Sequence, residues 1–203
     1  GYTVALCGGS TMAAVAEEMP ILPFNPTVVP ARGGVGAVVE YQANVIASVL
    51  AERLRGTYKM LHLPDGLSQD SLHMLMTCEP QIKEIGDLIS RTDVLLFGIG
   101  TAMRMADQRH IADEVRKQLV DNHAVGEALG QYCDMDGKLI YSTNNIGLSL
   151  PDVAKVPNVI AVAGGQEKAS AIIGVMRACQ KGILIIDEQA AEGMRQLLQI
   201  SAL

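Results

Sequence analysis

The sequence predicts an α/β fold, specifically a Rossmann-like, mostly parallel sheet with helices on both faces. Short apolar runs rich in β-branched residues recur along the chain, and stretches of helical spacing lie between most of them. These runs are apolar nearly throughout, which is typical of parallel strands that are buried on both sides. The chain has 203 residues, of which 49% are apolar, so it can bury a sizeable core.

The elements follow one another in a regular order. Strands are predicted at 3–7, 27–31, 58–63, 93–100, 138–143, 158–165 and 182–187. Helical spacing is found at 12–19, 36–56, 81–90, 110–120, 168–178 and 189–200. A proline-rich loop is predicted at 20–26, and Asp136-Gly137 predicts a turn into a hairpin strand, which indicates a small antiparallel appendage. One domain over residues 1–203, with at most a minor lobe, is the simplest organisation.

Composition excludes several classes of function. Sixteen Lys and Arg face 22 acidic residues, aromatic residues make up 3%, and there is no Trp, so this chain alone is a poor nucleic-acid binder. The four cysteines are far apart and lack the spacing of zinc ligands, which predicts no metal and four buried thiols in a reducing, cytoplasmic compartment. Neither a signal peptide nor a run of membrane-spanning length is found.

Four predicted strand ends carry glycines and polar side chains. Residues 7–11 read Cys-Gly-Gly-Ser-Thr, in which Gly9 allows a close backbone approach and Ser10 and Thr11 add hydroxyls at a helix start. That combination suits an anion. Because the carboxyl ends of parallel strands meet at one edge of a sheet, we expect all four junctions to converge there on a small phosphorylated molecule.

The other three junctions supply cations. Arg32 precedes a Gly-Gly-x-Gly turn at 33–36, and Gln42 is expected about two turns into the helix that follows. Thr101 follows the glycines of residues 98–100, with Arg104 and Arg109 beyond it, and Lys168 follows Gly164-Gly165. Each junction alone is also compatible with an ordinary tight turn and a surface charge.

Glu127 lies between Gly126 and Gly130 in a segment of weak helical character. An acid there can accept hydrogen bonds from sugar hydroxyls, act as a general base, or be a solvated loop residue. No Walker A motif and no G-x-G-x-x-G fingerprint occur, so no nucleotide cofactor is predicted.

The ordered set of segments resembles the effector-binding domain of SorC-family bacterial transcription regulators, in the branch that controls glycolytic genes. The segments that carry the resemblance span essentially the whole chain: GGSTMAAVAEEM, VPARGGVG, YQAN, GTYKMLHLPDGLS, GIGTAMRMADQR, GEALGQYCDMDGKL, VIAVAGGQEKASAI and ILIIDEQAA. It implies a fold like that of glucosamine-6-phosphate deaminase, ribose-5-phosphate isomerase and the CoA transferases. It also implies a repressor whose inducer is a sugar phosphate, foremost fructose 1,6-bisphosphate.

The resemblance further implies partners and site residues. An N-terminal helix-turn-helix domain that binds operator DNA is expected upstream of Gly1, and the protein is expected to be a homo-oligomer, a dimer or a tetramer. The implied ligand residues are Gly9, Ser10 and Thr11 around one phosphate, Lys168 as a cation, Arg32 and Gln42 from the second junction, Arg109 from the loop after the fourth strand, and Glu127 on sugar hydroxyls.

Two features leave alternatives open. Ser10 replaces a threonine of the family pattern and keeps the hydroxyl, whereas His110 stands where a second arginine is common, so either Arg109 or its neighbour fills that role. An enzyme of the same fold, a sugar-phosphate isomerase or deaminase, is the alternative to a non-catalytic sensor. The sensor is favoured by the family-specific segments, and because no Asp-containing motif like that of the isomerases is found at a strand end. In addition, no Ser-His-Asp order or nucleophile elbow is found, and the four histidines are scattered.

Overall fold

The computed structural model describes residues 1–33, 38–63 and 67–200. The regular elements in that part of the chain are β1 (Thr3–Leu6), α1 (Ser10–Glu18), β2 (Thr27–Pro30), α2 (Ala43–Arg53), β3 (Thr57–Tyr58), α3 (Gln69–Cys78), α4 (Pro80–Ser90), β4 (Val94–Gly98), β5 (Gly100–Thr101), α5 (Ala102–Gln108), α6 (Asp113–Asp121), β6 (Gly126–Ala128), β7 (Gln131–Cys133), β8 (Leu139–Ser142), β9 (Asn158–Ala163), α7 (Ala169–Cys179), β10 (Ile183–Ile186) and α8 (Glu188–Ile200). Short 3-10 helices span Val39–Tyr41, Leu150–Lys155 and Gln166–Lys168.

The main sheet has six strands in the order β3-β2-β1-β4-β9-β10, and all its pairs are parallel. From β1 the next strands, β2 and β3, are added toward one edge of the sheet, and from β4 the later strands, β9 and β10, are added toward the other edge. The strand order therefore reverses between β1 and β4. The loops that leave these two strands therefore part to opposite sides and open a crevice at their carboxyl ends, where α/β sheets bind ligands. The predicted α/β class and the parallel sheet are confirmed.

Helices cover both faces of this sheet because alternate strand residues point to opposite sides. Val4 and Leu6 of β1 pack under α1 and α2, whereas Ala5 between them belongs to the larger core on the other face. That larger core includes Phe97 of β4 and Ile172 of α7, with contributions from α3, α4 and α8. The central strands β1, β2 and β4 are apolar nearly throughout because both of their faces are largely buried, whereas Ile183 and Ile185 of the edge strand β10 are exposed.

A second, antiparallel sheet has the order β5-β6-β7-β8. Its first strand follows β4 after one residue, so the chain passes from one sheet into the other at the crevice. The expected hairpin is present: Gly137 adopts φ +85°, and the Asp134 carboxylate accepts from the amides of Asp136 and Lys138. The small antiparallel appendage is therefore confirmed, and it is tied directly to the crevice.

Three local predictions were wrong. The helix expected over 36–56 begins at Ala43, because Gln42 is extended at φ −73°, ψ 137° and the turn before it is a 3-10 helix. Gln42 thus precedes the helix and is not two turns inside it. The strand expected at 58–63 is reduced to Thr57–Tyr58. Residues 34–36 of the Gly-Gly-x-Gly turn lie outside the described residues.

The prediction of four buried thiols is correct for two of the cysteines and wrong for the other two. All four cysteines are free, and Cys133 and Cys179 are buried as predicted. Cys7 is only half-buried, and Cys78 is exposed at the end of α3, a surface helix with one buried residue. Burial raises the pKa of the Cys179 thiol to about 12, which keeps it protonated at neutral pH.

Candidate functional site

The crevice between β1 and β4 contains a buried cluster of charges from three parts of the chain. Glu127 is placed there by strand pairing, since it lies opposite Gly100 in the β5–β6 ladder, directly beyond the end of β4. Arg32 follows β2, and Arg109 ends α5. Three of the predicted site residues are therefore brought together at the switch point of the main sheet.

Glu127 is the centre of this cluster and is 3% exposed. Its Oε1 accepts from the Gly130 amide at 2.6 Å and from Arg109 Nη2 at 3.1 Å, and Arg32 Nη1 lies 3.9 Å away. The contacts described for this carboxylate all fall on Oε1. Glu127 is thus neither a solvated loop acid nor in a helical segment: it is a buried strand residue, and its burial requires the two cations.

Arg32 is 6% exposed and is fixed by the small sheet. Its Nη2 donates to Thr143 Oγ1 at 2.8 Å, and that hydroxyl donates to the Gly130 carbonyl at 3.1 Å. The neighbouring Gly33 and Asn145 exchange two hydrogen bonds, of 2.9 and 2.7 Å. Hydrogen bonds therefore connect the loop after β2 to the segment after β8, and they fix the Arg32 guanidinium in the absence of ligand.

Gly130 is required by this packing. It adopts φ +74°, and a Cβ added there would lie 2.1 Å from Arg32 Nη1. A side chain would be strained by the backbone and would also displace the guanidinium. The glycine that the sequence showed only as a neighbour of Glu127 thus makes room for Arg32.

In the described part of the chain, the cluster combines two guanidiniums with one carboxylate, and the forked donors of a guanidinium match the oxygens of an anion such as phosphate. The Cys7 thiol at the end of β1 is influenced by the same charges. Burial raises its pKa to about 12; the Arg32 guanidinium lowers it, the Glu127 carboxylate raises it and the Arg109 guanidinium lowers it, each to a smaller extent. A thiol that stays protonated at neutral pH is a weak nucleophile.

The first glycine junction lies at the start of α1, with the α2 start against it. The Gly9 amide donates to the Tyr41 carbonyl at 2.8 Å, so this N–H is used within the protein. Ser10 and Thr11 form the first turn of α1, whose amides have no partner inside the helix. A Cβ on Gly8 would lie 2.6 Å from the Tyr41 carbonyl and 3.7 Å from Gln42, which brings Gln42 beside this junction.

The fourth junction, between β9 and α7, already binds a carboxylate of the protein itself, that of Asp187. The Gly165 amide donates to both carboxylate oxygens of Asp187, at 3.1 and 2.9 Å, and the Ala190 amide donates to Oδ1 at 2.8 Å. These amides and, to a smaller extent, the Lys168 ammonium lower the pKa of Asp187. Lys168 is half-buried at the end of the 3-10 helix and interacts with Asp187. No described contact joins Lys168 to the arginine cluster.

Sequence reasoning missed Thr143 and Asn145. Both follow the Asp-Gly hairpin, which was the only local signal that this segment returns to the main sheet. No group of three or more His, Cys, Asp or Glu side chains that could hold a metal ion occurs within residues 1–33, 38–63 and 67–200. Over the same residues, no helix is both long and apolar enough to cross a lipid bilayer.

Comparison with solved structures shows which class of protein has this fold. A SorC-family transcriptional regulator from Enterococcus faecalis matches with a TM-score of 0.88 and 39% identity, covering 96% of this chain and 80% of that one. The full-length sorbitol operon regulator SorC from Klebsiella pneumoniae matches with a TM-score of 0.82 at 22% identity, covering 96% of this chain and 65% of that one. The fold is that of the SorC-type regulator domains.

Sequence comparison gives the family. The Sugar-bind model, a model of a sugar-binding domain, matches residues 1–196, and the chain belongs to this family. The central glycolytic genes regulators of Priestia megaterium and Bacillus subtilis are 42% and 40% identical over 192 and 191 residues. Those alignments cover 94% and 93% of this chain but 56% of each regulator. The chain thus spans little more than half the length of these relatives.

Proposed function

We propose that this chain is the effector-binding domain of a bacterial repressor of glycolytic genes and that it senses a phosphorylated sugar, foremost fructose 1,6-bisphosphate. The observation that carries the proposal is the buried Arg32–Glu127–Arg109 cluster at the switch point of the sheet. Two fixed guanidiniums suit a phosphate, because their forked donors match its oxygens. A carboxylate with an oxygen to spare suits sugar hydroxyls.

A bisphosphate uses both ends of the crevice in this proposal. One phosphate binds at the start of α1, where the hydroxyls of Ser10 and Thr11 and the first-turn amides converge, with Gln42 beside them. The other binds near Arg32 and Arg109, and the sugar hydroxyls between them bind Glu127. Gly9 contributes its conformation, since its amide already donates to Tyr41. Arg109, rather than His110, provides the cation on this loop because its guanidinium reaches Glu127.

Lys168 has a secondary role in this arrangement. Its ammonium interacts with Asp187, and the Gly165 amide beside it is occupied by that carboxylate. A phosphate at this junction must compete with the internal anion. We infer that Lys168 adds to the attraction of a phosphate at longer range and supplies less binding energy than Arg32.

The chain acts as a sensor and not as an isomerase or deaminase in this proposal. An isomerase needs a base that is free to take a proton from the substrate. Glu127 is already paired with two guanidiniums, and the Cys7 thiol is protonated at neutral pH. The relatives found by sequence are regulators, which supports the same reading. No cofactor is required.

The partners belong to the whole protein. A DNA-binding helix-turn-helix domain preceding this chain contacts operator DNA, and a homo-oligomer, dimer or tetramer, forms in the cytoplasm. Ligand changes operator binding only if it binds two states of the protein with unequal affinity. The crevice joins the main sheet to the small sheet, so a ligand held by both biases how they are arranged.

The test is a thermal-shift panel with fructose 1,6-bisphosphate, fructose 6-phosphate, glucose 6-phosphate, dihydroxyacetone phosphate and ribose 5-phosphate, each recovered afterwards and analysed for conversion. Stabilisation by one or a few, with the compound intact, supports the sensor. A converted compound makes the chain an enzyme and assigns Glu127 to catalysis. A flat panel rejects the proposal, since a ligand that binds the folded state must raise the unfolding temperature.

A further inference from the structure

Tyr132 of β7 carries a polar group that the proposed site does not yet use. Its side chain is fully buried, and its hydroxyl has no hydrogen-bond partner among the residues that the structure describes. The ring packs in a small core with α5 and α6 and lies 5.9 Å from the Tyr141 ring. Buried hydroxyls nearly always have a partner, so one without any needs an explanation, and a partner gained on ligand binding would provide one.

The position of Tyr132 points to Glu127 as that partner. The two residues lie directly opposite each other in the β6–β7 ladder, and directly opposed residues share one face of a sheet. Burial raises the pKa of the Tyr132 hydroxyl, and the Glu127 charge raises it further, so the group is a protonated donor at neutral pH. Glu127 Oε2 is the oxygen to which no described contact falls, and it can accept a hydrogen bond.

We propose that Tyr132 is a positioning residue whose hydroxyl donates to the Glu127 carboxylate when a ligand phosphate takes up Arg109. This inference rests on the proposed function. Without ligand, Arg109 Nη2 is 3.1 Å from Glu127 Oε1 and compensates its charge. When a phosphate binds the guanidinium, the buried carboxylate loses part of that compensation, and its two oxygens have room for a donor from the protein in addition to the sugar hydroxyls. Tyr132 supplies it from the strand next to Glu127.

The arrangement gives two effects of opposite sign. In the ligand-free protein the buried hydroxyl has no partner among the described residues, and an unpaired buried hydroxyl lowers stability, so Tyr132→Phe leaves the unfolding temperature equal or raises it. In the ligand-bound protein the same substitution removes a hydrogen bond to a charged group and lowers affinity about tenfold. A residue with only a packing role would shift stability and leave affinity unchanged.

The experiment measures the affinity for fructose 1,6-bisphosphate by calorimetry, and the unfolding temperature without ligand, for wild type, Tyr132→Phe and Tyr141→Phe. Tyr141 is the matched control, because it is the half-buried tyrosine opposite Tyr132 in the β7–β8 ladder. The expected result is weaker binding only for Tyr132→Phe, without loss of stability. Equal affinity of Tyr132→Phe and wild type overturns the proposal.

A double-mutant cycle tests whether Tyr132 acts through Glu127. In a Glu127→Gln background, Tyr132→Phe should change affinity by less than about twofold, since the charged acceptor is gone. A full tenfold loss in that background overturns the positioning role. If wild type itself shows no heat and no thermal shift with any phosphate in the panel, the proposed function fails and this inference with it. Binding by wild type with an unaffected Tyr132→Phe variant rejects only the inference.

Discussion

The crevice between β1 and β4 and the junction between β9 and α7 look alike in sequence and differ in structure. Each follows a strand, contains glycines and has a cation nearby. In the crevice, Arg32 and Glu127 are almost completely buried and are held by segments from both sheets. At the β9–α7 junction, Asp187 is exposed and caps α8 while it occupies the Gly165 amide.

The difference shows that a glycine-marked strand end does not by itself make an anion site. The amides of the β9–α7 junction face an acid of the same chain, whereas the crevice presents two guanidiniums that are held around Glu127. Burial strengthens the electrostatic interactions of the guanidiniums in the crevice, because fewer water molecules screen them. We expect ligand affinity and stability to depend far more on the crevice.

The largest effect should come from Glu127→Ala. It leaves the buried Arg32 guanidinium and the partly exposed Arg109 guanidinium without this carboxylate, and breaking a buried ionic group lowers the free energy of unfolding by about 3–5 kcal/mol. Asp187→Ala is the matched acid at the other junction and should cost much less, because its carboxylate is exposed to water. Urea unfolding of both variants measures this. Similar losses would remove the distinction between the two regions.

Arg32→Ala should weaken binding of fructose 1,6-bisphosphate about 10- to 150-fold, as expected for one charge-assisted hydrogen-bonded contact. Lys168→Ala should weaken it less than about tenfold, since Asp187 already interacts with that ammonium. Titration calorimetry on samples shown to be folded by circular dichroism compares the two. An equal or larger loss for Lys168→Ala would make the β9–α7 junction the main phosphate site.

Gly130→Ala should separate backbone strain from damage to the site. The positive φ costs about 1–2 kcal/mol in stability, and the new Cβ also pushes Arg32 away, so ligand affinity falls as well. Gly182→Ala is the control, because Gly182 also has a positive φ, of +120°, but lies at the amino end of the edge strand β10, whereas the crevice lies at the carboxyl ends of the central strands. Thermal unfolding with and without ligand distinguishes them, and an unchanged affinity of Gly130→Ala would contradict the described packing.

The smallest effect concerns the pH dependence of Asp187. Its pKa is lowered in the folded state, so its ionised form stabilises the fold above the ordinary value of 3.8, and this contribution is lost as the pH falls through the lowered folded-state value. Wild type should therefore exceed Asp187→Asn slightly in stability at pH 7, and the gap should close in acid. Denaturant unfolding across pH 2–7 checks the trend. A gap that widens in acid would reverse the sign and reject this role.

The sequence predicted the main sheet well, because strands buried on both faces have an unmistakable apolar pattern. It misplaced Gln42, since the 3-10 turn at Val39–Tyr41 continues the three-to-four spacing of α2 and hides the break between them. Glu127 seemed as compatible with a loop as with a site, because a three-residue strand is too short to show a period.

The site residues that sequence reasoning missed share one physical cause. Thr143 and Asn145 act only through partners that the fold brings from distant positions, so no local pattern marks them. Arg32 was found because a cation next to strand-end glycines is a local signal, whereas Arg109, at the far end of α5, was assigned by the family resemblance. Tyr132 was hidden because an aromatic residue in a strand is first of all a core residue.

The hydrogen bond between Arg32 and Thr143 spans 111 positions of the chain, and the pair between Gly33 and Asn145 spans 112. During synthesis, well over half of this domain must therefore leave the ribosome before the hydrogen bonds that form the crevice can be made. Contacts this distant form late, because the loop between them must first be ordered. If the proposed function is correct, a nascent chain cannot bind ligand in the crevice until the segment after β8 has emerged, and a chain terminated before Thr143 would not bind it at all.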